Sequence, residues 1–197
     1  TLDVARMVLV GKVNRDIVSS INIHGPLAVG ISGEDAGLIT ATSRHEDLGF
    51  VGEIQTVNPT IINGLLKEGH IPVVSSIGAD GEGQAYNINA DTVASSLAAA
   101  LEAKRILYLT DIEGLRADME DPESHISEIM SSDLQNLIDN GTISGGMIPK
   151  AQACLEAVQA GVGSAHMVDG RISHVILLEL FTDSGIGTMV LPDQEKK

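Results

Sequence analysis

Residues 91–110 read Asp91-Thr92-Val93-Ala94-Ser95-Ser96-Leu97-Ala98-Ala99-Ala100-Leu101-Glu102-Ala103-Lys104-Arg105-Ile106-Leu107-Tyr108-Leu109-Thr110. The Ala-rich part from Asp91 to Ala103 predicts a helix, and Arg105 to Thr110 predicts a buried strand straight after it. Upstream, Ile71-Pro72-Val73-Val74-Ser75-Ser76-Ile77 is a β-rich run, closed by the hairpin-turn signal Asp80-Gly81. Before it come a helical pattern from Leu2 to His24, the buried run Leu27 to Ile31, a short strand Val51 to Val57, and a helix from Pro59 to Lys67. Arg44-His45-Glu46-Asp47 reads as a solvated loop. Downstream, helices are predicted at Ser132 to Asn140, Pro149 to Ala160 and His174 to Phe181, with strands at Ser164 to Val168 and Thr188 to Leu191.

Strands alternating with helices imply parallel pairing through right-handed crossovers, with helices on both faces. The expected fold class is therefore α/β, an open three-layer α/β/α sandwich with a mainly parallel sheet. No repeat, low-complexity segment or long linker interrupts the chain. Any division falls near Lys104, giving halves 1–103 and 104–197.

Composition narrows the function. The 197 residues hold 43% hydrophobic but only 2% aromatic side chains, so Ala, Val, Ile and Leu must fill the core. A net charge of −15, from 12 basic and 27 acidic residues, would repel a polyanion, which argues against nucleic acid as a partner. Cys154 is alone, so no internal disulfide can form; it reads as a small core hydrophobe. No apolar run reaches the length of a membrane span, and the expected location is the cytoplasm. The chain opens at Thr1 without Met and directly in a helical pattern, so a segment upstream is expected.

Ligands of open parallel sheets bind beyond the carboxyl ends of strands, which directs attention to four polar segments. In Asn87-Ile88-Asn89-Ala90-Asp91, ordinary capping accounts for Asn89 and Asp91, while two amides at alternate positions could also hold a substrate carboxylate. In Gly145-Gly146-Met147-Ile148-Pro149-Lys150, a Lys in the first turn opposes the helix dipole unless an anion such as phosphate sits there; an exposed Lys is the plainer explanation. Thr110-Asp111-Ile112-Glu113-Gly114 could shape a nucleotide pocket or be a simple strand-to-loop turn. The C-terminal stretches His166 to Arg171 and Glu179 to Met189 are unusually polar for a terminal strand and helix. There is no Gly-x-x-x-x-Gly-Lys-Ser/Thr loop and no His-Glu-x-x-His. Gly161-Val162-Gly163-Ser164-Ala165-His166 precedes a strand instead of following one, which weighs against a dinucleotide fingerprint.

In this order and spacing the four segments resemble the N-acetylglutamate kinases of the amino acid kinase family. Met7-Val8-Leu9-Val10-Gly11-Lys12-Val13-Asn14, Gly30-Ile31-Ser32-Gly33-Glu34-Asp35, Val51-Gly52-Glu53-Ile54 and Ile71-Pro72-Val73-Val74 extend the match. The resemblance implies transfer of the γ-phosphoryl group of MgATP to the side-chain carboxylate of N-acetyl-L-glutamate, in arginine biosynthesis. It implies that Asn87 and Asn89 bind substrate, Lys150 stabilises the phosphoryl charge and Asp91 orients the lysines. Thr110, Asp111, Gly114 and Met147 would surround the nucleotide, with Mg²⁺ bridged by phosphates. His166, Glu179 and Gly185 match a feedback site for L-arginine. Residues 1–103 would be the remainder of a substrate-binding and oligomerisation half, and 104–197 the nucleotide half. The family's N-terminal third, with a second lysine, a Gly-rich loop and a substrate-gripping arginine, is not matched, so the isolated chain is expected to be inactive. The full-length protein is expected to be a homo-oligomer, dimer or hexamer. The competing readings are a non-catalytic arginine-sensing or partner-binding module, and a different amino acid kinase.

Overall fold

A computed structural model of the chain describes residues 1–117, 121, 124–143, 145–182 and 185–193. They form two compact units, Thr1–Val93 and Ala94–Lys197. The boundary falls inside helix α4 (Ala90–Ala100), ahead of Lys104.

In the first unit the opening helix is continuous but not uniform. α1 (Leu2–Arg6) passes into a π-helical segment, Met7–Val13, and then α2 (Asn14–Asn22). The looser winding has identifiable partners: the Leu9 carbonyl accepts from the Asn14 N–H and from Ser75 Oγ at 3.2 Å. Asn14 is 2% exposed, and its amide donates to the Val73 carbonyl (2.8 Å) and to Ser75 Oγ (3.1 Å). Those acceptors belong to β4 (Ile71–Ser75), which pairs in parallel with β1 (Ala28–Ser32), Ala28 opposite Ile71. A Cβ on Gly30 would lie 2.0 Å from both Arg15 Nη2 and Asn14 Oδ1, so glycine is what allows the helix this close to the strand.

A second sheet in this unit has the order β3 (Gly52–Val57), β2 (Ile39–Ser43), β5 (Ile77–Ala79), β6 (Ala85–Asn87). β2 pairs in parallel with β5, and the other two pairs are antiparallel. The β5–β6 turn is the Asp80-Gly81 signal realised: Asp80 Oδ1 accepts from the N–H of Glu82 and Gln84, both at 2.9 Å. Helix α3 (Thr60–Lys67) starts one residue after Pro59, which takes the N-cap position.

The second unit is built on the order β10 (Glu128–Met130), β12 (Thr188–Leu191), β11 (Ala165–Asp169), β7 (Ile106–Thr110). β7 and β11 are parallel, with Thr110 opposite Asp169, whereas β12 returns antiparallel to β11. A small ladder joins β8 (Leu115–Arg116) to β9 (His125–Ile126). Helices α5 (Ser131–Asp139), α6 (Met147–Gln159) and α7 (Val175–Phe181) complete it. α7 begins at Val175 because His174 takes a left-handed conformation, φ 60° and ψ 22°.

The core of this unit gathers Leu115, Leu134, Ile143, Met167 and Val190 around the small face of α6, where Ala151, Cys154 and Ala157 are wholly buried. Small residues let the helix lie close to the strands, and each large side chain buried there contributes about 1.5–3 kcal/mol. The pairing is more mixed than the sequence suggested: parallel at β1–β4, β2–β5, β7–β11 and β10–β12, antiparallel at the hairpins and at β11–β12. Ile39–Ser43, Leu115–Arg116, His125–Ile126 and Glu128–Met130 are strands that the sequence pattern did not announce. No helix among the described residues is long and apolar enough to cross a membrane.

Candidate functional site

In the first unit, the segment expected to hold substrate lies where β6 ends and α4 begins. Ile88 points into the core at 3% exposure, so Asn87 and Asn89 on either side face away from it. Asn89 Oδ1 accepts from the Thr92 N–H (3.0 Å) and hydroxyl (3.3 Å), which is the capping role. Capping uses only the oxygen, so the amide donors of Asn89 stay available. The Asn87 side chain makes no hydrogen bond among the described residues, while its backbone N–H donates to the Phe50 carbonyl at 2.9 Å. Asp91 is partly buried in the first turn of α4, where the helix dipole favours a carboxylate.

In the second unit, a cavity of about 240 Å³ opens beyond the carboxyl end of β7, lined by Asp111, Glu113, Gly114, Arg116, Met147 and Arg171, with Ile112. Lys150, in the first turn of α6, donates to Asp111 Oδ1. That bond holds the Asp111 carboxyl below the usual carboxylate range. Gly114 has φ +132°, and a Cβ there would lie 2.7 Å from Thr188 Oγ1 and 2.8 Å from His125 Nε2. The neighbouring Leu115 N–H donates to Thr188 Oγ1 (2.8 Å), and that hydroxyl donates to the Ile126 carbonyl (2.6 Å). One buried threonine thus fixes the rim of the cavity to β12. Thr110 is not on the wall: its hydroxyl accepts from the Ile112 N–H and faces the Ile112 and Val168 carbonyls.

A second cavity in this unit, about 250 Å³, is lined by His166, Glu179, Gly185, Met189, Arg105 and Glu128, among others. His166 Nδ1 lies 2.7 Å from Glu179 Oε1, and its Nε2 lies 2.9 Å from Ser164 Oγ. A carboxylate only accepts, so Nδ1 carries the proton, and in the neutral ring Nε2 accepts from Ser164. Glu179 Oε2 accepts from the N–H of Ile186 (2.9 Å) and Gly187 (3.0 Å). Burial pushes this carboxyl up, but the His166 bond and the two N–H groups outweigh it, and the net shift is downward. Gly185 has φ +61°, and a Cβ would come 2.7 Å from Glu179 Oε2. Asp183 and Ser184 of the same polar stretch lie outside the described residues.

The structure brings Asp111, Gly114 and Met147 to one cavity, with Lys150 bonded to Asp111; it adds Arg116 and Arg171 to that cavity and Arg105 and Glu128 to the second, none of which the sequence reading assigned to a site. Arg116 lies two residues beyond Gly114 and pairs with Glu113 at 2.8 Å, a contact legible only once the loop's turn is known. Glu128 sits on a strand of three residues, too short to show a period. Among the described residues no group of three or more His, Cys, Asp or Glu side chains gathers as a metal cage.

The model of the amino acid kinase family matches residues 1–169 of this chain. The chain belongs to that family, which makes it a phosphotransferase by descent. Within it, the acetylglutamate kinase of Acidothermus cellulolyticus is 53% identical over 203 residues, covering 98% of this chain and 68% of that protein. The acetylglutamate kinase of Nostoc sp. is 53% identical over 195 residues, covering 98% of this chain and 66% of its own length. Among solved structures, that of smu.665 from Streptococcus mutans superposes with a TM-score of 0.77 at 28% identity, covering 95% of this chain and 70% of that one. The chain thus spans about two thirds of the length of these relatives, and the α/β fold class of the amino acid kinases is the one it adopts.

Proposed function

We propose that the chain serves the transfer of the γ-phosphoryl group of ATP to the side-chain carboxylate of N-acetyl-L-glutamate, a step of arginine biosynthesis. The observation that carries this reading is Lys150, a cation in a helix first turn, held by Asp111 on the rim of a cavity past the carboxyl end of β7. Half-identical relatives bearing the name acetylglutamate kinase support the acceptor. The acceptor carboxylate is already ionised and needs no general base, so catalysis rests on alignment and on neutralising the transferring group. Lys150 supplies charge to that group when it leaves Asp111. Asn87 and Asn89 offer amide donors to the acceptor, and Asp91 orients cations without taking a proton. Met147, 7% exposed, and Gly114 give the nucleotide an apolar wall and a close backbone approach.

Mg²⁺ would suit this donor set only as part of the nucleotide, since it keeps several waters and the described residues gather no group of three or more metal-binding side chains. Bound there, it neutralises phosphate charge. The His166–Glu179 cavity is the proposed site for L-arginine as feedback ligand. Glu179 is already engaged by His166, Ile186 and Gly187, so Glu128 on the same wall is the freer carboxylate for a guanidinium, and Arg105 suits the ligand's carboxylate. A homo-oligomer would cover the exposed Val4, Met7, Val8, Val13 and Ile17 of the opening helix.

The test is acyl-phosphate formation, trapped as hydroxamate, by the full-length protein with N-acetyl-L-glutamate, L-aspartate, L-glutamate and carbamate as acceptors. Only the first should turn over, and Lys150→Ala should lower kcat by about 10²–10³-fold. Turnover of another acceptor at equal efficiency would overturn the assignment. The 197-residue chain alone is expected to give no product, because the resemblance assigns half of the charge clamp to residues outside it.

A further inference from the structure

We propose that Arg171 is a nucleotide-binding residue whose guanidinium meets a phosphate of the bound adenine nucleotide. The proposal rests on the reading of the Asp111–Met147 cavity as the nucleotide site.

Arg171 stands two residues past β11, on the turn Asp169-Gly170-Arg171. That turn is fixed against the end of β7: the Gly170 N–H donates to the Thr110 carbonyl at 2.9 Å, and a Cβ on Gly170 would lie 3.1 Å from Leu109 Cβ. The Arg171 N–H and Nε both donate to Asp169 Oδ1, at 2.9 and 2.8 Å, and Nη2 donates to Asp169 Oδ2 at 2.7 Å. The guanidinium is therefore held in one plane by a fork-to-fork pair.

Serving as the counterion of Asp169 explains only one edge of this group. Asp169 has a side chain 7% exposed, whereas that of Arg171 is 68% exposed. Its Nη1 makes no hydrogen bond among the described residues, and the side chain lines the cavity. The acidic neighbours that could take up the second edge are already engaged. Asp111 is paired with Lys150, and Glu113 with Arg116.

Three of the chain's 12 basic residues, Lys150, Arg116 and Arg171, thus gather around one cavity of a protein carrying a net charge of −15. Each is parked on a carboxylate, but only Arg171 has its partner buried and its second edge facing outward. A planar edge with N–H donors in fixed geometry fits phosphate oxygens, and Lys in its place would offer a point charge without the fork.

The test is calorimetric titration of the full-length protein with ADP and, separately, adenosine, for the natural sequence, Arg171→Gln and Arg171→Lys. Gln can still donate to Asp169 but carries no charge. The expected result is a roughly tenfold or greater loss of ADP affinity in the Gln variant, unchanged adenosine affinity, and partial recovery of ADP binding in the Lys variant. Equal ADP affinity in the natural and Gln forms would overturn the proposal, as would an equal loss for adenosine and ADP. Loss of fold in both variants, read by circular dichroism, would make Arg171 the counterion of Asp169 and nothing more. Failure of the natural chain to bind ADP at all would instead overturn the reading of the cavity, and the proposal with it.

Discussion

Replacing Thr188 by Val tests whether one hydroxyl ties the Gly114–Leu115 loop to the sheet. The substitution keeps the branched shape, and Thr188 is wholly buried, so packing is nearly unchanged. What is lost is the oxygen that accepts from the Leu115 N–H at 2.8 Å and donates to the Ile126 carbonyl at 2.6 Å. Leu115 is itself fully buried, so no water replaces the lost acceptor. A backbone group stripped of its partner costs up to about 1–3 kcal/mol, less for the half-buried Ile126 carbonyl than for the Leu115 N–H, which puts the combined loss at about 2–5 kcal/mol. A loss of that size lowers Tm by about 5–15 °C in a chain of this length. Thr188→Ser is the control, since it keeps both hydrogen bonds and removes one methyl group, costing about 1 kcal/mol. Urea unfolding followed by circular dichroism measures both, and ADP titration shows whether the Gly114–Leu115 rim has moved. A Val variant at least as stable as the Ser variant would refute the reasoning, because the methyl would then matter more than the two hydrogen bonds.

Two further outcomes follow from other contacts. Gly185→Ala should destabilise the C-terminal unit by about 1–3 kcal/mol, since a non-glycine residue at φ +61° is strained and its Cβ meets Glu179; L-arginine binding to the proposed site should weaken with it, as titration calorimetry would show. Acid should destabilise the fold through carboxylates whose folded values lie low: Asp169, held by the Arg171 hydrogen bonds at about 2, and Asp111 and Asp193, held down chiefly by Lys150 and Ser132. A depressed folded value means stability that is complete above the unfolded value near 3.8 and lost as pH falls toward about 2. Urea midpoints should therefore be level above about pH 5 and decline steadily below about pH 4, and a flat profile there would contradict these pairings.

What the sequence made legible was whatever is carried by local period or local punctuation. The Ala-rich run of α4, the buried strand β7, the Asp80-Gly81 turn and the Pro-containing start of α6 all express their structure within a few residues. Short strands escaped because two or three residues, as in His125–Ile126 and Glu128–Met130, show no period; they exist through pairing with Leu115–Arg116 and with β12. The same holds for the sites. Lys150 stood out because its place opposes the helix dipole, a local anomaly, but its partner Asp111 is 39 positions away. Thr110 reads as a nucleotide-pocket residue because it ends a strand, whereas its hydroxyl is taken up by its own turn. No local pattern marks Asp193, which reaches back 61 positions to accept from the N–H and hydroxyl of Ser132 and so caps α5 from outside the helix.

Net charge and site charge pull in opposite directions in this chain, and geometry decides between them. At physiological salt, exposed charges more than about 8 Å apart are largely screened, so most of the −15 is felt only weakly inside one cavity. At about 4 Å and an effective dielectric near 20, by contrast, a single ion pair is worth about 4 kcal/mol before desolvation. The field that a phosphate meets is therefore set by Lys150, Arg116 and Arg171 and by the carboxylates that hold them. Because each cation is paired in the absence of ligand, the cavity is locally close to neutral, and none of the three sits as a bare charge in an apolar wall. Binding an anion then exchanges one partner for another. That exchange is cheapest where the cation can keep its carboxylate while a further donor meets the anion, as Arg171 can with Nη1 while Nε and Nη2 stay on Asp169.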